Sequence, residues 1–195
     1  MGELFTSFDD AWSYFLRREE PLETFYDDFP EDEDSLLAGW VVEPAPEVKK
    51  RAAALQAALS HLEWVVPVPG HFLHVWIGLV DRIDTGWTRW PEIEAFSISY
   101  ARVNCFHSAV IVEVEGPVRW LVEGTSNDVP AYLPHMTIAI TRDARPAKDI
   151  REALLPLRGI SLGTQIVREV KLVEFPAARS TLLRPWTLQQ IVALA

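Results

Sequence analysis

Two histidines in this 195-residue chain stand inside short apolar runs: His74 in Leu73-His74-Val75-Trp76-Ile77, and His135 in Pro134-His135-Met136-Thr137-Ile138. Side chains of an extended segment alternate between its faces, so His135 and Thr137 point one way while Met136 and Ile138 point the other. The same spacing puts His74 and Trp76 on one face, with Val75 and Ile77 turned to the core. An imidazole has an unperturbed pKa of about 6.5, so one copy can be neutral and another charged close to neutral pH. Two of them at one site can take a proton from an attacking oxygen and return one to a departing oxygen. A hydroxyl beside such a pair can donate to an oxygen on which negative charge builds up, a contribution of about 3 kcal/mol per donor in favourable sites. Thr137 suits that duty. Trp76 offers an indole N–H and a face that can stack on a nucleobase. His71 gives a competing register for the first run, but it stands at a loop edge and also lacks a hydroxyl partner, so His74 is preferred. His61, closing a helical run, and His107, in a turn, read as capping and surface residues.

The elements around the two runs follow from periodicity. Phe8, Trp12, Phe15 and Leu16 fall at helical spacing behind Ser7, a candidate cap, and predict a short N-terminal helix that reads as an appendage. The acidic stretch Asp27, Asp28, Glu31, Asp32, Glu33, Asp34 reads as a solvated linker, so residues 1–35 are set apart from a domain over 36–195. Leu36 to Val42 predicts a buried strand ended by Pro44 and Pro46, and Glu47 to Leu62 a helix with Val48, Ala52, Leu55, Leu59 and Leu62 on its apolar stripe. Strands are expected over 63–68 and the His74 run, then a Trp-rich loop over 84–91. Phe96 to Val103 and Ala109 to Val114 read as a hairpin closed by Asn104 to Ser108. Val118 to Glu123 fits a strand or a truncated helix, ahead of a loop over 124–128. The His135 strand, a helix over Lys148 to Leu157, a strand over Thr164 to Glu174 and another over Thr181 to Leu188 complete the chain. Strand, helix, strand, strand occurs on both sides of the middle, which predicts an α+β fold of two similar lobes.

A formal charge of −10 argues against a protein that grips long nucleic acid, since phosphate contacts need clustered Lys and Arg. No apolar run approaches the roughly 18 residues of a membrane span, and Met1-Gly2-Glu3-Leu4-Phe5 lacks the order of a secretory signal, so no membrane partner is expected and the chain reads as cytoplasmic. The single cysteine, Cys105, excludes an internal disulfide and a cysteine-rich metal site and reads as a small core residue. The sequence contains no Gly-x-Ser-x-Gly elbow, no Gly-x-x-x-x-Gly-Lys loop and no His-Glu-x-x-His helix.

Two strands bearing a histidine near a proline, in this element order, resemble the two-histidine phosphoesterase superfamily, which includes the 2′-5′ RNA ligase and cyclic phosphodiesterase proteins. The likeness covers roughly residues 36 to 190: the Leu36 strand, the Glu47 helix and Leu73 to Leu79 resemble its first half, and Pro134 to Ala139, Ile150 to Leu154 and Ile166 to Glu174 its second. It implies two antiparallel sheets facing a central groove with helices outside. It also implies hydrolysis or ring opening of a 2′,3′-cyclic phosphate, a 2′-5′ linkage or a related cyclic nucleotide, with His74 and His135 as acid and base and neither metal nor cofactor required. The expected partner is a small nucleotide or RNA end, bound with Thr137 and Trp76. Position 76 is Trp where the family has Ser or Thr, which leaves a second class open: a nucleotide-binding protein that kept the groove and lost turnover. A third class is an interaction domain that uses the N-terminal helix and the acidic run; removing residues 1–34 separates it from the others.

Overall fold

The computed structural model describes residues 5–29, 36–80, 93–118, 132–180 and 183–195. The expected loops at 84–91 and 124–128, and most of the acidic run, lie outside them. The N-terminal part holds α1 (Phe8–Arg17), β1 (Pro21–Leu22), β2 (Leu36–Val42), α2 (Pro46–Ala58), β3 (Val65–Pro67) and β4 (Val75–Val80). Then come β5 (Phe96–Cys105), β6 (Ala109–Glu115), β7 (His135–Thr141), β8 (Arg145–Pro146), α3 (Ala147–Leu154), β9 (Gly163–Val167), β10 (Glu169–Pro176) and β11 (Thr187–Ala193). No helix among the described residues is long and apolar enough to cross a membrane.

The expected two-lobed α+β arrangement is present as two antiparallel arms of one sheet. Its order is β11-β10-β2-β4-β7-β6-β5-β9, with β3 added beside β7. One rung, Val75↔Met136, joins the arm ending in β4 to the arm ending in β7. Both motif strands also carry an extra residue against their outer neighbours. Trp40 pairs with Gly78 and Val41 with Trp76, skipping Ile77; Val110 pairs with Ala139 and Ile111 with Thr137, skipping Ile138. Each bulge therefore lies three residues past a motif histidine, where it bends the strand and changes which side chains face the groove. The Ile138 carbonyl accepts from the Val68 N–H at 2.9 Å and from Gln56 Nε2 on α2 at 2.7 Å, so the irregular turn of the chain is satisfied by hydrogen bonds.

Local sequence explains the helices. Ser7 Oγ accepts from the Asp10 N–H at 3.1 Å and Asp9 and Asp10 occupy the first turn, which caps and charges α1 favourably. Pro46 opens α2, and Val48, Ala52 and Leu55 bury one face of it. The N-terminal helix, read from sequence as an appendage, packs against β5 and places Phe15 in the same continuous core as Val75, Ile77, Met136 and Ile138; Leu22 of β1 joins them. Its first turn is tied down by charge: Asp9 reaches Arg102 at 3.1 Å and Arg158 at 3.7 Å, and the Phe8 carbonyl accepts from Asn104 Nδ2 at 3.0 Å. Those arginines converge on Glu113, whose side chain is fully buried and accepts from Arg102 Nε and Asn104 Nδ2, each at 2.8 Å, and from Arg158.

Two expected strands differ from what is observed. The single strand over Thr164 to Glu174 is broken at Arg168: β9 pairs with β5 in one arm, while β10 pairs with β2 and β11 in the other. The alternation runs through the break because both pieces have period two, so the crossing between arms leaves no mark in the pattern. The last strand begins at Thr187 rather than Thr181, after Leu183 at φ 69° and Pro185, which has no N–H to give a ladder.

Candidate active site

The rung between Val75 and Met136 fixes what faces the groove. In an antiparallel pair the partner numbers have a constant sum, 75 + 136 = 211, so position 74 lies across from 137 and position 76 across from 135. Val75 and Met136 are fully buried beneath. The four residues singled out from the sequence, His74, Trp76, His135 and Thr137, thus form one cross-strand quartet, and all four line a single cavity of about 320 Å³.

The two histidines are held alike. His74 Nδ1 donates to the Phe72 carbonyl and His135 Nδ1 to the Leu133 carbonyl, each at 2.7 Å and each two residues back. A carbonyl only accepts, so Nδ1 carries the proton in both rings, and Nε2 is the nitrogen available to a ligand. Burial pushes His74 down from its ordinary 6.5 to about 4, with the Phe72 carbonyl opposing the shift and the nearby His135 adding to it. Burial lowers His135 in the same sense, against the pull of its own carbonyl partner. The apolar surroundings responsible are aromatic. His74 has Phe72, Trp186, Trp76 and Phe175 at ring distances of 5.3, 5.4, 5.5 and 6.5 Å. His135 has the edge of Phe106 at 5.0 Å and Tyr132 at 6.0 Å. Phe106 is backed in turn by Phe8 of α1, its ring stacked at 6.5 Å.

Thr137 has no protein partner for its hydroxyl among the described residues, so the donor is available to a ligand. Trp76 lies across the neighbouring strand over Gly39, where a Cβ would meet the indole at 2.6 Å and the Gly78 carbonyl at 2.5 Å. Gly39 thereby seats the indole. Replacing it with valine is expected to push the ring off β2 and lower stability by about 1–3 kcal/mol through overpacking, read as a lower urea midpoint with altered tryptophan emission. An unchanged midpoint and emission would show that the seat is dispensable.

Sequence reasoning missed several lining residues. The Tyr132 hydroxyl donates to the Trp76 carbonyl at 2.7 Å and links the two motif segments, and burial pushes that phenol up. Phe25 and Phe29 reach the cavity from the N-terminal segment, and Phe72 and Phe175 from either side of His74. Phe72 was within sight of the motif; Phe25, Phe29 and Phe175 arrive through long-range pairing that no local pattern announces. No Lys or Arg is among the described residues lining the cavity. Among the described residues no group of three or more His, Cys, Asp or Glu is placed to hold a metal. His61 and His107 lie outside the cavity: His61 Nδ1 meets the Ala58 carbonyl at the end of its helix, and His107 is held by Arg18.

No family model matches the sequence, and no curated protein matches it. Solved structures do match. Escherichia coli LigT complexed with phosphate superposes with a TM-score of 0.63 at 16% identity, over 90% of this chain and 98% of that one. TT0787 of Thermus thermophilus gives 0.60 at 17% identity over 81% and 97%, and a structure described as a phosphoesterase gives 0.62 at 15% identity over 82% and 99%. The chain therefore has the fold of the LigT-like two-histidine phosphoesterases.

Proposed function

We propose that this protein is a phosphodiesterase acting on small cyclic or 2′-5′-linked nucleotides, with His74 and His135 as its proton-transfer pair. The observation that carries the reading is the mirrored placement of two imidazoles across one rung, each with Nδ1 tied back and Nε2 left for a ligand. The fold shared with LigT, a protein crystallised with phosphate, with ATP, with NADP+ and with 3′-AMP, supports a small nucleotide as the ligand class.

For a 2′,3′-cyclic phosphate, neutral Nε2 of one histidine takes a proton from water as the water oxygen bonds to phosphorus. The bond to one ring oxygen breaks, and Nε2–H of the other histidine protonates it, leaving a phosphomonoester. His74, enclosed by more aromatic surface, is assigned the base, and His135 the acid. Thr137 donates to a non-bridging oxygen as charge builds there. Two imidazoles suffice for both transfers, so this reading requires no metal.

The test incubates the protein, with a chelator present, with 2′,3′-cyclic nucleotides and 2′-5′ dinucleotides. Release of phosphomonoester or nucleoside supports the reading, and no cleavage of any of them overturns it. Trp76 at the position of a second hydroxyl favours one alternative, a protein that holds a nucleotide without turning it over; binding without cleavage would identify it.

The pH dependence follows from the shared direction of the two shifts. Activity needs one imidazole charged and one neutral, a state most populated between the two apparent pKa values of the pair. Both lie below 6.5, so kcat/KM is expected to peak on the acid side of pH 6.5 and to fall as pH rises above it. A bound phosphate anion favours the charged imidazole, so the kcat profile should lie to the alkaline side of the kcat/KM profile. A kcat/KM maximum above pH 7.5 would contradict this.

A further inference from the structure

His74 and His135 share the cavity with a lining that is largely aromatic. Part of that aromatic wall comes from outside the motif strands: Phe25 and Phe29, at either end of a single 3₁₀ turn, line the cavity with ring centres 5.3 Å apart. The chain entering that turn is fixed in place. The Glu23 N–H donates to the His107 carbonyl at 3.0 Å, and Thr141 Oγ1 donates to the Glu23 carbonyl at 2.6 Å. Arg18 Nη2 donates to the Pro21 carbonyl at 2.7 Å, and Pro21 and Leu22 pair with Pro146 and Arg145 of β8. Leu22 is 1% exposed, whereas Phe25 and Phe29 stay only partly covered, so the anchored segment presents apolar rings that the protein itself leaves unfinished.

A wall already held rigid loses little freedom when a flat ligand group stacks on it. The cavity volume, about 320 Å³, is at the lower end of the range for small-molecule sites, which suits one nucleotide rather than an oligomer. With no Lys or Arg among the described lining residues, the positive charge those residues can offer is a protonated imidazole, which suits the single charge of a phosphodiester.

We infer that the 24–29 segment is the specificity element of this site. Phe25 and Phe29 stack on the base of a mononucleotide while His74 and His135 hold its monoanionic cyclic phosphate. This rests on the phosphodiesterase reading for the identity of the phosphate end, and on the N-terminal wall for the base.

The test measures equilibrium binding, by titration calorimetry with the full chain, of adenosine 2′,3′-cyclic phosphate and of glycerol cyclic phosphate, which has the strained ring and no base. Phe25→Leu/Phe29→Leu is expected to weaken the nucleotide roughly tenfold, the scale of one lost base stack, while moving the glycerol compound less than twofold. The single variant Phe29→Leu, expected to move in the same direction, is the reserve should the double variant fail to fold by thermal unfolding. Equal weakening of both ligands, an unchanged nucleotide affinity, or a wild type that binds both ligands equally would overturn the inference. Turnover by the wild type is recorded in parallel: base-dependent binding without cleavage defeats the phosphodiesterase reading and leaves the stacking wall standing. Cleavage without base discrimination does the reverse.

Discussion

Replacing His135 with asparagine is expected to lower kcat/KM for a 2′,3′-cyclic nucleotide by roughly 10²–10⁴-fold, the usual contribution of a positioned proton donor. Asparagine keeps an N–H that can reach the Leu133 carbonyl, so the backbone there should hold while the proton on Nε2 is lost. His74→Asn should behave alike through the Phe72 carbonyl. In the proposed mechanism the two rings act in one proton circuit, so the double variant should fall little below either single one rather than by the product of their losses. The measurement is steady-state kinetics on all three variants, with thermal unfolding to confirm that each is folded. A single variant retaining activity within tenfold of wild type would remove that histidine from the reaction.

The largest effect on stability is expected at Glu113. Its side chain is wholly excluded from solvent, while the Arg158 side chain that bonds it is only 15% exposed. Removing one member of a buried ion pair leaves the other uncompensated, at a cost of about 3–5 kcal/mol. Glu113→Ala should reach that range in chemical denaturation. Glu113→Gln, which keeps an oxygen for Asn104 and one arginine, should cost less. Asp9 offers a residual partner to both arginines, so Asp9→Ala combined with Glu113→Ala should be worse than the sum of the separate losses. Glu113 pairs with His135 in the β6–β7 ladder, so loosening this network should also reduce turnover. A loss below 1 kcal/mol for Glu113→Ala would show that the carboxylate is not needed to hold the arginines.

Much of the candidate site's arrangement was legible because it depends on period two. Alternation alone placed His74 with Trp76 and His135 with Thr137, and the rung between Val75 and Met136 then put those faces together. The strands Leu36–Val42 and Ala109–Glu115 were equally plain, being short apolar runs with clear ends. What escaped is non-local. The break at Arg168 occurs inside an unbroken alternation, and Glu113 reads as the polar member of an ordinary strand until Arg102, Asn104 and Arg158 are folded around it. The N-terminal helix carried a visible apolar face, but the surface it would cover was not written beside it. Only the folded sheet shows Phe15 in the core and Phe8 behind the ring that meets His135.

The order in which the strands leave the ribosome sets a final consequence. The outer edge of β2 is filled by β10, with Val41 against Lys171, so that edge waits for a partner 171 − 41 = 130 residues downstream. At roughly 5–20 residues per second, synthesis takes about 6 to 26 s to supply it. The arm holding β5, β6 and β7 can assemble meanwhile from closer neighbours, while Trp40, Val41 and Val42 stay available to unwanted partners. The newborn protein should therefore depend most on chaperones at β2, and aggregation during refolding should begin there.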